Sequence, residues 1–173
     1  MPPSQEQPQK AAQSPNLKKA ALIALVGTTA AAVLLHFIPE QEGTRYRAYR
    51  DVVGIWTVCT GDTHNVTPGV TETPVQCEDR LISQLIIHAK PIIDCTPQLA
   101  EPGHDYQLAA SVSLAYNIGP TGFCKSSIAS AFRARLWRTG CGRFRLYNKA
   151  GGRVFKGLVD RREREVALCL KGL

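Results

Sequence analysis

Between Ala20 and Ile38 the chain runs nineteen residues without a formally charged side chain at neutral pH, apart from His36 when it is protonated. Such a run has to be covered by something other than water, either a bilayer or the core of a folded domain. As a helix it spans roughly 28 Å, about the thickness of a bilayer core. The run is only weakly apolar, because six of its residues are Ala and Gly27, Thr28 and Thr29 interrupt its middle. It is therefore expected to enter a membrane without being held firmly. Lys18 and Lys19 on its amino-terminal side favour keeping that end in the cytoplasm and exporting the carboxy-terminal domain. A cleaved signal peptide is a competing reading, with Ala30-Ala31-Ala32 as the small residues of the cleavage site, although the apolar run continues through Val33-Leu34-Leu35. A buried helix of a soluble protein is a third.

The predicted organisation has three parts. Residues 1–16 are rich in Pro, Gln and Ser and lack apolar periodicity, which reads as a disordered tail. Residues 17–38 form the membrane segment, and residues 39–173 are long enough for one compact domain. All six cysteines, Cys59, Cys77, Cys95, Cys124, Cys141 and Cys169, fall in that last part, and none has the paired short spacing of a zinc site. Disulfides in an exported domain are the expected outcome, with 15 complete pairings open.

Apolar periodicity and punctuation predict a mostly helical domain with one small hairpin. Residues 44–62 alternate Tyr, Trp, Val and Thr with polar residues and turn at Gly54. Thr73-Pro74-Val75-Gln76 reads as a helix start, Thr capping, Pro in the first turn and Gln bonding back. That helix is expected to end near Pro91. Further helices are predicted from about Asp105 to Asn117, from about Ser126 to Arg138 with a stop at Gly140, and from Asp160 onward with Glu163 as capping partner. Leu108, Val112, Ala115, Ile128, Phe132 and Leu136 read as core stripes.

Directly after the apolar run comes Glu42-Gly43-Thr44-Arg45-Tyr46-Arg47-Ala48-Tyr49-Arg50-Asp51-Val52-Val53-Gly54-Ile55-Trp56-Thr57, with Glu, Asp and Thr at spacings of nine and six. Two carboxyl groups flanking a sugar linkage divide the labour of breaking it. One donates a proton to the leaving oxygen; the other stays ionised and orients water or supports positive charge. Glu42 and Asp51 fit these roles, and a turn around Val53-Gly54 folds Thr57 back beside Asp51, where its hydroxyl can hold a water. A solvated acidic pair is the alternative reading of the two carboxylates taken alone.

The run Glu-Gly…Ala-Tyr-x-Asp-x-x-Gly-x-Trp-Thr resembles the signature of the phage-type lysozymes, the endolysins of glycoside hydrolase family 24. The resemblance implies that Glu42, Asp51 and Thr57 form a catalytic triad. It continues through Ala115-Tyr116-Asn117-Ile118-Gly119-Pro120-Thr121-Gly122-Phe123, Ser126-Ser127-Ile128, and Ala150-Gly151-Gly152…Lys156-Gly157-Leu158-Val159-Asp160-Arg161-Arg162-Glu163-Arg164-Glu165, so it covers about residues 40–170. One departure is Cys59-Thr60-Gly61-Asp62-Thr63-His64, where many members carry Gly-x-Gly-His. Cys59 there puts the local strand contacts in question.

The resemblance implies a lysozyme-like α+β fold of two lobes, mostly helical, with a small β-hairpin lobe, preceded here by a signal-anchor helix. It also implies a disulfide pattern of Cys59–Cys77, Cys95–Cys124 and Cys141–Cys169. The implied activity is hydrolysis of bacterial peptidoglycan between N-acetylmuramic acid and N-acetylglucosamine, by a monomer with no cofactor and no metal. Glu42 is then the general acid, while Asp51, with Thr57, positions water or supports the oxocarbenium-like transition state. Arg161 or Arg162, in the Arg-Arg-Glu stretch, either reaches the acidic site and influences the protonation of Glu42 or lies on a solvated helix face; a guanidinium alone favours the ionised carboxylate, so apolar cover from Tyr46 or Trp56 is expected as well.

Charge is distributed to suit an anionic partner. Of a formal net +7, the segment from Lys125 onward carries thirteen Lys or Arg against Asp160, Glu163 and Glu165, a local +10. The Arg residues interleave with Phe132, Trp137, Phe144 and Tyr147 as a helical and loop surface. No helix-turn-helix, zinc-finger or RNA-recognition pattern is present, which favours the cell wall over nucleic acid. A lytic transglycosylase and a non-catalytic, membrane-tethered wall-binding module are the alternatives.

The closeness of Glu42 to Ile38 adds a regulatory expectation. A helix anchored up to Ile38 pins the general acid at the headgroup surface and leaves the enzyme inactive in the host inner membrane. This arrangement looks like the signal-anchor-release endolysins, whose weak segment leaves the bilayer, typically when a holin collapses the membrane potential. Once released to the periplasm, residues 20–38 are expected to pack as a helix on the catalytic domain and set Glu42 in place.

Overall fold

The computed structural model describes residues 15–51 and 53–173. Residues 1–14, most of the predicted tail, lie outside the described residues. The apolar run forms two helices, α1 (Pro15–Val26) and α2 (Thr28–Glu42), bent by 114° at Gly27. Gly27 has φ 83°, a conformation that glycine adopts without the clash a Cβ brings. Its amide donates to Ile23 O and its carbonyl accepts from Ala31 N, so one residue closes the first helix and opens the second. No single helix is long and apolar enough to cross a membrane, although the bent pair has the length and composition to do so.

Both helices are embedded in the main core. Leu22, Val26, Ala30, Ala31, Leu34 and Ile38 are buried in the same cluster as Leu85, Ile92, Leu114, Phe123 and Phe132. Burying each large aliphatic residue is worth about 1.5–3 kcal/mol, and Leu22, Leu34 and Ile38 are all fully buried. α2 runs through Pro39 to Glu42, and Gly43 N caps the end by donating to Pro39 O.

After α2 the chain enters an antiparallel hairpin, β1 (Arg45–Arg50) and β2 (Trp56–Cys59), with Tyr49 opposite Thr57 and Arg50 opposite Trp56. Val58, Cys59 and Cys77 form a second, smaller buried cluster with Val66 against it, the core of the hairpin lobe. Cys59 holds a left-handed φ of 57°, the region a glycine occupies freely, which is why a Gly suits this position. The strand pairing survives the change, and the Cys59–Cys77 bond spans the strained residue.

The long helix α3 (Pro74–Cys95) starts as predicted. Thr73 Oγ1 accepts from Gln76 N at 3.2 Å and Gln76 Oε1 accepts from Thr73 N at 2.7 Å, a reciprocal capping box. It does not end near Pro91 but continues to Cys95. Proline there forfeits the bond to the carbonyl of Ile87, an exposed residue that water serves, while buried Ile92 and the Cys95–Cys124 bond retain the last turn.

α4 (Asp105–Ile118) agrees with its predicted bounds to one residue and buries Leu108, Val112 and Ala115. After the short α5 (Pro120–Cys124), the single helix expected over Ser126–Arg138 is two: α6 (Ser127–Arg133) and α7 (Trp137–Arg143), separated by Arg135 at φ 58°. Gly140 does not terminate a helix; it sits inside α7, flat against Phe132, where an added Cβ would come within 2.3 Å of the ring. Close approach, not chain breaking, is its role. Leu136 lies in the break and is exposed rather than core.

The small pair β3 (Lys149–Ala150) and β4 (Arg153–Val154) precedes α8 (Lys156–Cys169), which begins four residues earlier than Asp160. Glu163 does not cap it, being engaged by Arg145 at 2.6 Å, and Asp160 pairs with Lys156. Phe132 is fully buried, as its place in a core stripe predicts, and two of the other aromatic residues expected on a basic surface are interior or packed: Phe144 is fully buried and Trp137 stacks on His104 at 3.7 Å. Apolar area outweighed the neighbouring arginines, whose stems reach past them.

All six cysteines are paired as the resemblance implied, with Cα separations of 5.2 Å for Cys59–Cys77, 5.9 Å for Cys95–Cys124 and 5.6 Å for Cys141–Cys169. They join the hairpin to α3, α3 to α5, and α7 to α8. Each closes a loop for which the unfolded-state entropy argument gives about 3–4 kcal/mol. Alkylation of the protein produced in an oxidising compartment and denatured without reductant should label none of the six thiols, and reduction should lower the unfolding free energy by a few kcal/mol per bond. Six labelled thiols would refute the oxidised state.

Candidate functional site

Glu42 is the last residue of α2, and Gly43 at φ 70° swings the chain from it into β1. Its carboxylate accepts from Arg161 Nη1 at 2.6 Å and remains about a quarter exposed. Of the two arginines placed to reach it, Arg161 alone does so; Arg162 turns to Asn117 Oδ1, Tyr147 O and Glu165.

Asp51 and Thr57 meet through one peptide unit. Asp51 N donates to Ile55 O at 2.9 Å, and Asp51 Oδ1 accepts from Ile55 N at 2.8 Å and Val53 N at 3.0 Å, so its carboxylate caps the hairpin turn. Thr57 Oγ1 donates to the same Ile55 O at 3.1 Å. The predicted return of Thr57 toward Asp51 is thus carried by the turn at Gly54, whose φ of 83° it requires. Thr57 is only 3% exposed, deeper than a hydroxyl on an open surface. Among the described residues Asp51 Oδ2 has no donor, which leaves one carboxylate oxygen open to a ligand.

Behind Glu42 lies a buried ionic cluster that reading the sequence only half anticipated. Arg161 bonds Glu42 through Nη1, Glu165 Oε1 through Nε at 3.3 Å and Ser113 O through Nη2 at 3.3 Å. Glu165 has no exposed surface; its Oε1 also accepts from Ser113 Oγ at 2.7 Å and Arg162 Nη2 at 3.1 Å. Arg162 Nε lies 2.8 Å from Glu165 Oε2 as an ion pair without hydrogen-bond alignment. Burial pushes the Glu165 carboxyl above the usual range, against the pull of Arg162, the Ser113 hydroxyl and Arg161. Burial likewise lowers Arg162. The missed signal was spacing: Glu165 stands four residues beyond Arg161 and three beyond Arg162, on one helix face.

The apolar cover expected from Tyr46 and Trp56 does not take that form. Tyr46 is exposed, and Trp56 lies under the Arg50 guanidinium at 5.3 Å. Tyr116 is nearer the acids: burial pushes its phenol up to about 12, and its hydroxyl donates to Thr60 O at 3.0 Å, tying α4 to the end of the hairpin.

A second brace joins the hairpin lobe to α3. Asp62, nearly buried, accepts from Arg80 Nη1 at 2.8 Å and Gln84 Nε2 at 3.1 Å, while Glu72 takes Arg80 Nη2 at 2.6 Å. A cavity of about 660 Å³ opens beside it, lined by Lys18, His64, Asp79 and Gln84 among others, and by none of Glu42, Asp51 or Thr57.

A sequence profile described as Phage lysozyme matches residues 39–165. The SAR-endolysin of Bacteriophage PS119 is 34% identical over 167 residues, covering 93% of this chain and 98% of that protein. The SAR-endolysin of Enterobacteria phage P21 is 34% identical over 164 residues, covering 91% and 98%. Among solved structures, the active form of the P1 phage endolysin Lyz superposes with a TM-score of 0.76 at 26% identity, over 95% of this chain and 97% of that one. A P22 lysozyme mutant superposes with a TM-score of 0.71 at 29% identity, over 80% and 95%.

Proposed function

This chain belongs to the phage lysozyme family, and on that premise we propose that it cleaves the glycan strands of bacterial peptidoglycan between N-acetylmuramic acid and N-acetylglucosamine, with Glu42, Asp51 and Thr57 as its catalytic residues. It is a lysozyme-type glycoside hydrolase. Glu42 protonates the leaving oxygen. Asp51, anchored by the turn amides through one oxygen, keeps the other for the attacking water or the cationic transition state, and Thr57 holds that water from below. The observation that carries this reading is a hairpin that fastens the Asp51 carboxylate and the Thr57 hydroxyl to one residue, Ile55, in a chain whose Glu42 stands at a helix end held by Arg161.

A non-catalytic wall-binding module has no use for all three groups together. A lytic transglycosylase needs the acid alone and expels its product by internal cyclisation. Mass spectrometry of the fragments from purified peptidoglycan separates these: hydrolysis gives reducing muramic ends, and anhydro ends in their place would overturn the hydrolytic assignment.

The names of the relatives support a start in the host inner membrane followed by release to the periplasm. In this reading residues 17–38 are the anchor, residues 1–16 its cytoplasmic tail and residues 39–173 the exported catalytic domain. This reading is supported by two ion pairs to α3, Lys18 with Asp79 at 2.5 Å and Lys19 with Glu78 at 2.9 Å, which a released segment would form on docking. The lysines that orient the anchor then serve as its docking contacts. These partly exposed pairs add little energy beside the buried Leu22, Leu34 and Ile38, and they set register.

A further inference from the structure

We propose that Glu165 is a positioning residue for the general acid: by sharing Arg161 with Glu42 it lets the guanidinium orient the catalytic carboxyl without stripping it of its proton. The inference rests on Glu42 being the acid. Arg161 is held on three sides, by Glu42, Glu165 and the Ser113 carbonyl, and its side chain is 8% exposed, so it cannot swing away to water. A buried guanidinium with one carboxylate partner strongly favours the ionised form of that partner, which is the wrong form for a group that must donate a proton. A second carboxylate on the same guanidinium opposes that pull by like-charge repulsion.

The other groups facing the pair fit this division. Glu42 comes from α2. From α4 come the Ser113 hydroxyl and the Tyr116 phenol, neutral at working pH. Arg162, also from α8, balances Glu165 and is anchored by Asn117 Oδ1 and the Tyr147 carbonyl. Two arginines thus face two glutamates. Glu165 is wholly buried, and Glu42 is the member of the pair that solvent reaches.

The test is the pH dependence of kcat for Glu165→Gln, which keeps shape and an acceptor oxygen but loses the charge. With Arg161 left to Glu42, the acid loses its proton at lower pH. The alkaline limb of the profile should move about one pH unit lower and kcat at neutral pH fall roughly tenfold, with KM unchanged. If that variant does not fold, Glu165→Gln combined with Arg162→Gln removes one charge of each sign and should still show the limb displaced in the same direction. A wild-type limb in whichever variant folds overturns the proposal, since a structural brace changes the melting temperature and the amount of active enzyme but not the profile. Glu42→Gln measured alongside separates the two failures. Retained activity there sinks the catalytic assignment itself, whereas an inactive Glu42→Gln beside an unmoved Glu165→Gln profile sinks only the role of Glu165.

Discussion

Glu42→Gln is expected to remove wall-degrading activity by at least the roughly 10²–10⁴-fold that a positioned general acid contributes, while leaving the fold in place. An amide cannot deliver the proton that the leaving oxygen needs. It still offers an oxygen to Arg161 Nη1, and Arg161 keeps Glu165 as a counter-charge, so no guanidinium is stranded. Loss of turbidity of permeabilised Gram-negative cells measures the activity, and circular dichroism checks the fold. Full activity in the variant would take Glu42 out of the mechanism. Asp51 requires a gentler change than Ala, because its Oδ1 also receives the amides of Val53 and Ile55. Asp51→Asn keeps an acceptor for the turn and removes the charge, and it should lose more activity than Thr57→Ala, since charge facing a cationic transition state outweighs a hydroxyl.

Replacing Gly27, Thr28 and Thr29 together by Leu should hold the protein in the membrane fraction and delay lysis, by acting on both of its states. In the bilayer, each Leu adds a few tenths of a kcal/mol of insertion energy at the helix centre. In the folded enzyme, a side chain at position 27 must adopt a positive φ at a cost of about 1–2 kcal/mol, and its Cβ would sit 3.3 Å from Asp105 Oδ1. The straight helix gains and the bent pair loses. The unsubstituted protein should appear uncleaved and active in the soluble periplasmic fraction. Amino-terminal sequencing of that form decides the matter, because a start near Val33 would mark a cleaved signal peptide and end the release reading. Such a cut would also strip Leu22, Val26, Ala30 and Ala31 from the core they help to fill.

The helix start at Thr73 and the hairpin turn at Gly54 were legible locally because their determinants are local. Thr73 and Gln76 cap a helix through a contact three residues long, Gly54 makes a turn within its own strand pair, and the spacing of Asp51 and Thr57 is set by that turn. Misreadings came where one residue type serves two ends. Gly140 and Pro91 punctuate chains in general, yet here Gly140 admits the Phe132 ring and Pro91 rides inside a helix held by a disulfide, and both reasons lie in residues distant in sequence. Asp160 and Glu163 had the pattern of a helix start, but Lys156 and Arg145 claim them.

From sequence alone came the acid pair and its hydroxyl, the one apolar run that water cannot keep, the oxidised cysteines and the lysozyme-like mixture of helices and hairpin. Tertiary structure alone decided that the run folds as two helices rather than one, because a positive φ at Gly27 lets Leu22, Leu34 and Ile38 all reach one core. It also decided which arginine meets Glu42. Arg161 and Arg162 are neighbours of identical chemistry, separated only by about 100° of helix rotation. That rotation aims Arg161 toward α2 and Arg162 toward Asn117, and leaves Glu165 between them, a placement no stretch of sequence around any one of these residues contains.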